Sequence, residues 1–160
     1  MRTSIPGLKA DFAFLEDLPS WMELVRLVSC NFPGLETKEA IEEYKQTVIR
    51  NINRNSAICV KDNTKVVGIL LFSAKNNMLS CMAVHPDYRK KGLATQMIKL
   101  MLKNLDADRD IIVTTFREDD EKGTAPRALY KKLGFVEAEL DYEFNYPVQK
   151  YILYRSGNRD

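Results

Sequence analysis

Residues 78–116 constrain the fold of this chain more than any other segment. An apolar run, Met78 to Val84, stops at His85-Pro86. A turn with three consecutive cations and a glycine follows, Asp87-Tyr88-Arg89-Lys90-Lys91-Gly92. Leu93, Met97, Ile98, Met101 and Leu105 then recur at helical spacing, so a helix is predicted to run from Leu93 to near Asn104. Residues 110–116 are apolar almost throughout, the pattern of a strand covered on both faces. Strand, helix and strand in this order imply a parallel pair joined by a right-handed crossover. The turn itself has the makings of a phosphate site. A helix N-terminus presents unpaired N–H groups and the positive end of its dipole. Gly92 lets backbone approach a ligand with no Cβ in the way.

The flanking sequence supplies hairpins and helices. Ser20 with Glu23 reads as a capping box for a helix carrying Trp21, Leu24, Val25 and Val28 and running to about Ser29. Asn31-Phe32-Pro33-Gly34 breaks it. Thr37 is placed to cap a second helix with Ile41, Tyr44, Val48 and Ile52 inward. Two β-rich runs, 57–61 and 65–73, are joined by Asp62-Asn63-Thr64, and Asn76-Asn77 makes the next turn. Thr124 is placed to cap a short helix with Pro126 in its first turn, and Gly134 ends it. Its apolar side is predicted to be Ala125, Leu129 and Leu133, with Tyr130 on the flank. Residues 135–140 and 142–154 supply the last strands, interrupted near Asn145-Tyr146-Pro147. Hairpins on either side of a parallel pair make a mixed sheet with helices on its faces. The expected class is α/β, with one domain over residues 1–160.

Composition excludes several functions. The chain has 160 residues, 45% hydrophobic, enough for one sizeable core. The net charge is only +2, so no global case exists for binding nucleic acid or an anionic membrane. Three cysteines, one histidine and no paired ligand spacing argue against a metal site and for a reduced, cytoplasmic chain. Residues 1–10 lack the apolar core of a signal peptide. The longest apolar runs, such as 66–72, fall short of a membrane span. Neither GxxxxGK[ST] nor GxGxxG is present, so the basic turn is no P-loop or dinucleotide fingerprint. A basic turn taken alone is equally a solvated helix start.

Two motifs together resolve that ambiguity. Arg89-x-x-Gly92-x-Ala94 resembles the Q/R-x-x-G-x-G/A signature of the GCN5-related N-acetyltransferase (GNAT) superfamily. The block Ala128-Leu129-Tyr130-Lys131-Lys132-Leu133-Gly134-Phe135 resembles that family's late helix. The resemblance covers about residues 20–154. It implies a mixed, mostly antiparallel central sheet with helices on both faces and a splayed parallel strand pair. It implies acetyl-CoA as co-substrate, no metal, and an amine acceptor, either a small molecule or a peptide. The pyrophosphate would lie on the turn formed by Arg89, Lys90, Lys91, Gly92, Leu93, Ala94 and Thr95. The pantetheine arm would pair with Met82, Ala83 and Val84. A homodimer is compatible with this reading. One departure stands out: Gly123 and Pro126 occupy positions where the family often carries Asn and Ala.

The implied chemistry is acetyl transfer to a primary amine by direct attack in a ternary complex. An alkylammonium, with a pKa of roughly 10.4, must first lose a proton. The resemblance assigns Tyr130 to protonate the departing CoA thiolate. No general base is singled out among Glu118, Asp119, Asp120, Glu121 and Glu143. His85 reads as a turn residue, and Cys81 as a small buried one. The acceptor would be shaped by residues 31–36 and 144–147, and polyamine, amino sugar, amino acid and protein amines are not distinguished. The alternative is a non-catalytic CoA-binding or regulatory module.

Overall fold

The computed structural model describes residues 8–29 and 34–155. Residues 30–33, which hold the expected helix break and much of the acceptor loop, lie outside this range, as do residues 1–7. The elements are β1 (Ala10–Phe12), α1 (Leu18–Val28), α2 (Lys38–Asn53), β2 (Ala57–Asp62), β3 (Lys65–Ser73), β4 (Met78–Val84), α3 (Leu93–Lys103), β5 (Ile111–Phe116), α4 (Thr124–Lys132), β6 (Val136–Glu143) and β7 (Tyr146–Leu153). The strands form a seven-stranded sheet in the order β1-β2-β3-β4-β5-β7-β6. Every neighbouring pair is antiparallel except β4 and β5. No helix among the described residues is long and apolar enough to cross a membrane.

Local chemistry accounts for most boundaries, with several differences from the expected ones. Thr37 caps α2 by accepting from Ala40 N–H at 3.0 Å. Ser20 does not cap α1, which starts at Leu18 with Pro19 in its first turn. Its hydroxyl instead accepts from Val66 N–H at 2.8 Å and ties the helix to β3. Thr124 is likewise inside α4, whose N-cap is Gly123. The last hairpin turns one residue earlier than expected, at Phe144-Asn145, both with positive φ. Pro147 therefore lies within β7, opposite Tyr142. Strand β1 has no counterpart in the sequence reading. Three residues carry too little pattern, and pairing with β2 and the Gln96 side chain holds them in place.

The sheet is covered on both faces. On one side α3 and α4 pack Met97, Ile98, Met101 and Tyr130 against Ile58, Leu70, Ile111 and Tyr151. On the other, α1 and α2 pack Trp21, Val25 and Val48 against Val66, Ile69 and Leu71. Ile69 and Leu70 face opposite ways, as a strand requires. Coverage ends at β5. Ile111, Val113 and Thr115 are buried beneath α3 and α4, but Ile112, Thr114 and Phe116 on the other face are only half-buried. The expected two-sided cover is thus one-sided here, because the α1–α2 layer stops short of β5.

The β4–β5 pair is joined at one end only. Met78 registers with Ile112, and no further pair forms. Asn77 pins that end. Its side chain is fully buried, donates towards the carbonyls of Asp106, Arg109 and Asp110, and accepts from Asp106 N–H at 3.0 Å. Beyond Met78 the two strands diverge, and the backbone facing the gap is left without a strand partner.

Candidate functional site

The gap between β4 and β5 opens into a cleft of about 820 Å³. Residues from β4, the turn before α3, β5, α4 and the last hairpin line it. Met82, Ala83, Val84, Arg89, Lys90, Gly92, Leu93, Ala94, Thr95 and Tyr130 all lie on its wall. Lys91, picked from the same basic run, does not. The sharp turn explains this: Lys90 and Gly92 both take positive φ, 62° and 83°, so consecutive side chains leave in different directions.

The turn is rich in unclaimed donors. Gly92 is the N-cap of α3 and supplies no side-chain cap. Among the described residues, no hydrogen bond engages the backbone N–H groups of residues 89–95. The dipole end of α3 adds to their partial positive charge. Such a concave set of N–H groups suits an anion with several oxygens.

The strand end of the cleft offers a second set. His85 N–H bonds the Val67 carbonyl at 2.8 Å, which fixes which backbone groups of β4 face β3. By alternation, Met82 and Val84 present theirs to the gap. The Val84 carbonyl is taken by Arg89 Nε at 3.3 Å, a contact that a stronger partner can displace.

Tyr130 stands at the inner end of the gap. It is buried, at 4% exposure, against Phe135 and Tyr151, with ring centroids 5.6 and 6.0 Å away. This differs from the flank position expected from the sequence. The cause is Arg127, a buried residue on the same helix. Arg127 is buried on the same face of α4 and donates to the Phe116 carbonyl (3.2 Å), to Gln149 (2.7 Å) and to the Glu137 carboxylate. Its guanidinium also stacks over Tyr151 at 5.3 Å. These bonds roll α4 so that Arg127 and Tyr130 face inward. The only sequence signal was their i, i+3 spacing. The Tyr130 hydroxyl bonds no described residue, and burial, with Cys81 nearby, raises its pKa well above that of a free phenol. It is therefore a neutral O–H with a free donor in the cleft.

Cys81 lies across the strand from this face. Its Sγ is 3.4 Å from the Tyr44 hydroxyl, which accepts from Trp21 Nε1 at 3.2 Å. Burial pushes the thiol up to about 11. A thiol so weakly acidic is a poor nucleophile at neutral pH.

Thr114, Thr115 and Phe116 of β5 and Val148 of β7 also line the cleft, and Tyr146 borders an adjoining groove. Phe116 and Tyr146 meet edge-on at 5.6 Å, and Lys122 Nζ lies 6.0 and 5.7 Å from their ring centres. Thr114 donates to Glu143 Oε2 at 2.8 Å, and Tyr146 donates to Asp120 Oδ2 at 2.6 Å. The latter bond holds the Asp120 carboxyl below its usual range. Of the acidic candidates, Glu121 and Glu143 reach the cleft. Asp119, Asp120 and Glu121 border a neighbouring groove of about 520 Å³, and Glu118 borders neither. Phe144, at the hairpin tip, lies against Gly34, where an added Cβ would come within 2.7 Å of the ring. His85 is a turn residue, accepting from Asp87 N–H through Nδ1 at 3.1 Å. Among the described residues no cluster of potential ligands could hold a metal ion.

A family model described as an acetyltransferase (GNAT) domain matches residues 53–137, which span β2 to the start of β6. No curated protein matches the chain. Solved structures do. An N-acetyltransferase from Staphylococcus aureus Mu50 superposes with a TM-score of 0.72 at 19% identity, over 94% of this chain and 99% of that one. A protein from Salmonella typhimurium, solved with acetyl-CoA as its cofactor, gives 0.71 at 12% identity, over 96% of each chain. An N-acetyltransferase from Thermoplasma acidophilum, solved with coenzyme A, gives 0.62 at 18% identity, over 90% and 98%. At these identities the likeness concerns the fold.

Proposed function

The chain belongs to the GNAT acetyltransferase family, and on that premise we propose that it transfers an acetyl group from acetyl-CoA to a primary amine within a ternary complex. One observation carries the reading. A single cleft through the splayed β4–β5 pair joins the open N–H groups of residues 89–95 to the partnerless Tyr130 hydroxyl. The Salmonella and Thermoplasma relatives, solved with acetyl-CoA and coenzyme A, support the choice of co-substrate.

Each group then has a part. The turn residues Arg89, Lys90, Gly92, Leu93, Ala94 and Thr95 hold the pyrophosphate, chiefly through backbone N–H. Lys91 adds only long-range charge. Met82 and Val84 pair with the pantetheine amides as an added strand would, Arg89 first releasing the Val84 carbonyl. Their N–H groups also lie where they can stabilise negative charge on the acetyl oxygen. Tyr130 donates its proton to the departing sulfur, and its raised pKa keeps it loaded for that step. Cys81 is not an acyl carrier, since its thiol stays protonated. The amine enters from the side of β5 and the last hairpin.

The test is calorimetry with acetyl-CoA together with CoA release over a panel of amines. Saturable binding and amine-dependent release are expected. Absence of acetyl-CoA binding overturns the proposal. Binding without release for any amine would replace it with a non-catalytic CoA-binding module.

A further inference from the structure

We infer that the acceptor carries a second cationic group besides the amine that is acetylated, and that Phe116, Tyr146 and Glu143 receive it. The inference rests on the acetyltransferase reading and names the substrate class for the same cleft. Its starting point is Lys122. This residue lines the cleft, and its ammonium lies over two aromatic rings at once, 6.0 Å from Phe116, which also lines the cleft, and 5.7 Å from Tyr146, which borders the adjoining groove. Both distances are within reach of a cation–π attraction. The chain's own alkylammonium thus already sits where another could.

The surroundings favour a cation. Asp120 fixes the Tyr146 ring through its hydroxyl at 2.6 Å and adds negative charge beside it. Thr114 holds Glu143 Oε2 at 2.8 Å, which leaves Oε1 for another donor. Arg117, which borders the adjoining groove, is engaged elsewhere, bonded to the carbonyls of Val148 and Asp141 and stacked on Tyr142 at 4.9 Å.

The same chemistry says that this nitrogen is not the one that reacts. An amine attacks only after losing its proton, whereas ring faces and a carboxylate stabilise the charged form. A nitrogen seated here is held as ammonium. The reacting nitrogen is therefore a second one, lying further along the cleft toward Tyr130, and Lys122 must withdraw when the acceptor binds. Diamines fit this description. So do longer molecules with an ammonium or guanidinium several bonds from a free amine.

Steady-state CoA release by the full chain, with 1-aminobutane and 1,4-diaminobutane as acceptors, tests this. The diamine should be preferred in kcat/KM by about tenfold, the worth of one charge-assisted contact. Glu143→Gln should bring the ratio toward one, and Lys122→Met should lower KM for the diamine. Equal use of the two amines by the unaltered protein overturns the inference while leaving the acetyltransferase reading intact. A Glu143→Gln loss that is equal for both amines overturns it as well, and marks Glu143 as acting on the reacting nitrogen. No turnover with any amine, with acetyl-CoA still bound, overturns the acetyltransferase reading itself.

Discussion

Replacing Tyr130 with Phe removes one oxygen and leaves the ring, so it separates packing from proton transfer. The ring contacts with Phe135 and Tyr151 persist. The hydroxyl has no hydrogen-bond partner among the described residues, so the usual contribution of about 0.5–1.5 kcal/mol is not there to lose. The stability change should stay below about 1 kcal/mol, which for a domain of this size is about 2–4 °C in Tm. The hydroxyl lies outside the phosphate turn, so acetyl-CoA affinity should also hold. Turnover is different. A positioned general acid contributes about 10²–10⁴-fold. A thiolate is already a fair leaving group, so the low end applies, and kcat should fall about a hundredfold. Burial keeps the wild-type phenol protonated well past its ordinary 10.0, so Tyr130 itself should impose no alkaline limb near neutral pH. Thermal melts, acetyl-CoA calorimetry and CoA release at saturating amine measure the three quantities on one preparation. A melt lowered by several degrees with kcat little changed would refute the reasoning and make Tyr130 a structural residue.

Other groups give sharper stability and reactivity outcomes. Arg127→Met removes the bond to the exposed Glu137 carboxylate and strands the Phe116 carbonyl and Gln149; a loss of about 1–3 kcal/mol from those two unsatisfied groups is expected by denaturant titration, together with reduced kcat as α4 loses its anchor to the sheet. Asp120 has a lowered folded pKa, caused first by the Tyr146 hydroxyl. Its stabilising contribution is therefore complete above the unfolded value of 3.8 and is lost as pH falls through the lowered one. Asp120→Asn should flatten the acid limb of the urea midpoint below about pH 4, and an unchanged limb would remove the Tyr146 bond from the account. Cys81, at about 11, should alkylate slowly at neutral pH and faster as pH approaches that value, with acetyl-CoA slowing the reaction. Rapid modification at pH 7, located by peptide mapping, would contradict the buried thiol.

What was legible in the sequence divides along the cleft. The end proposed to take the cofactor is built from consecutive residues: a strand that stops at Pro86, a glycine that takes positive φ, and a helix that begins without a side-chain cap. Local chemistry writes such a segment almost letter by letter, so its place on the cleft wall could be anticipated, Lys91 excepted. The element types and the mixed sheet followed from periodicity for the same reason. What failed was decided by tertiary partners. Ser20 has the composition of a cap, but Val66 claims its hydroxyl. Residues 124–133 have an apolar stripe, but Arg127 finds three acceptors on the sheet and turns the helix. The end proposed to take the acceptor is the extreme case. Thr114 with Glu143, Phe116 with Tyr146 and Lys122, and Gly34 with Phe144 meet only because the sheet brings β5, β6 and β7 beside the end of α1. No single stretch of sequence carries that end. On the proposed function, a change of acceptor needs only a few side chains on β5 and the last hairpin, while residues 89–95 stay as they are. On that proposal, altered acceptor preference without altered acetyl-CoA affinity is the outcome to expect from substitutions there.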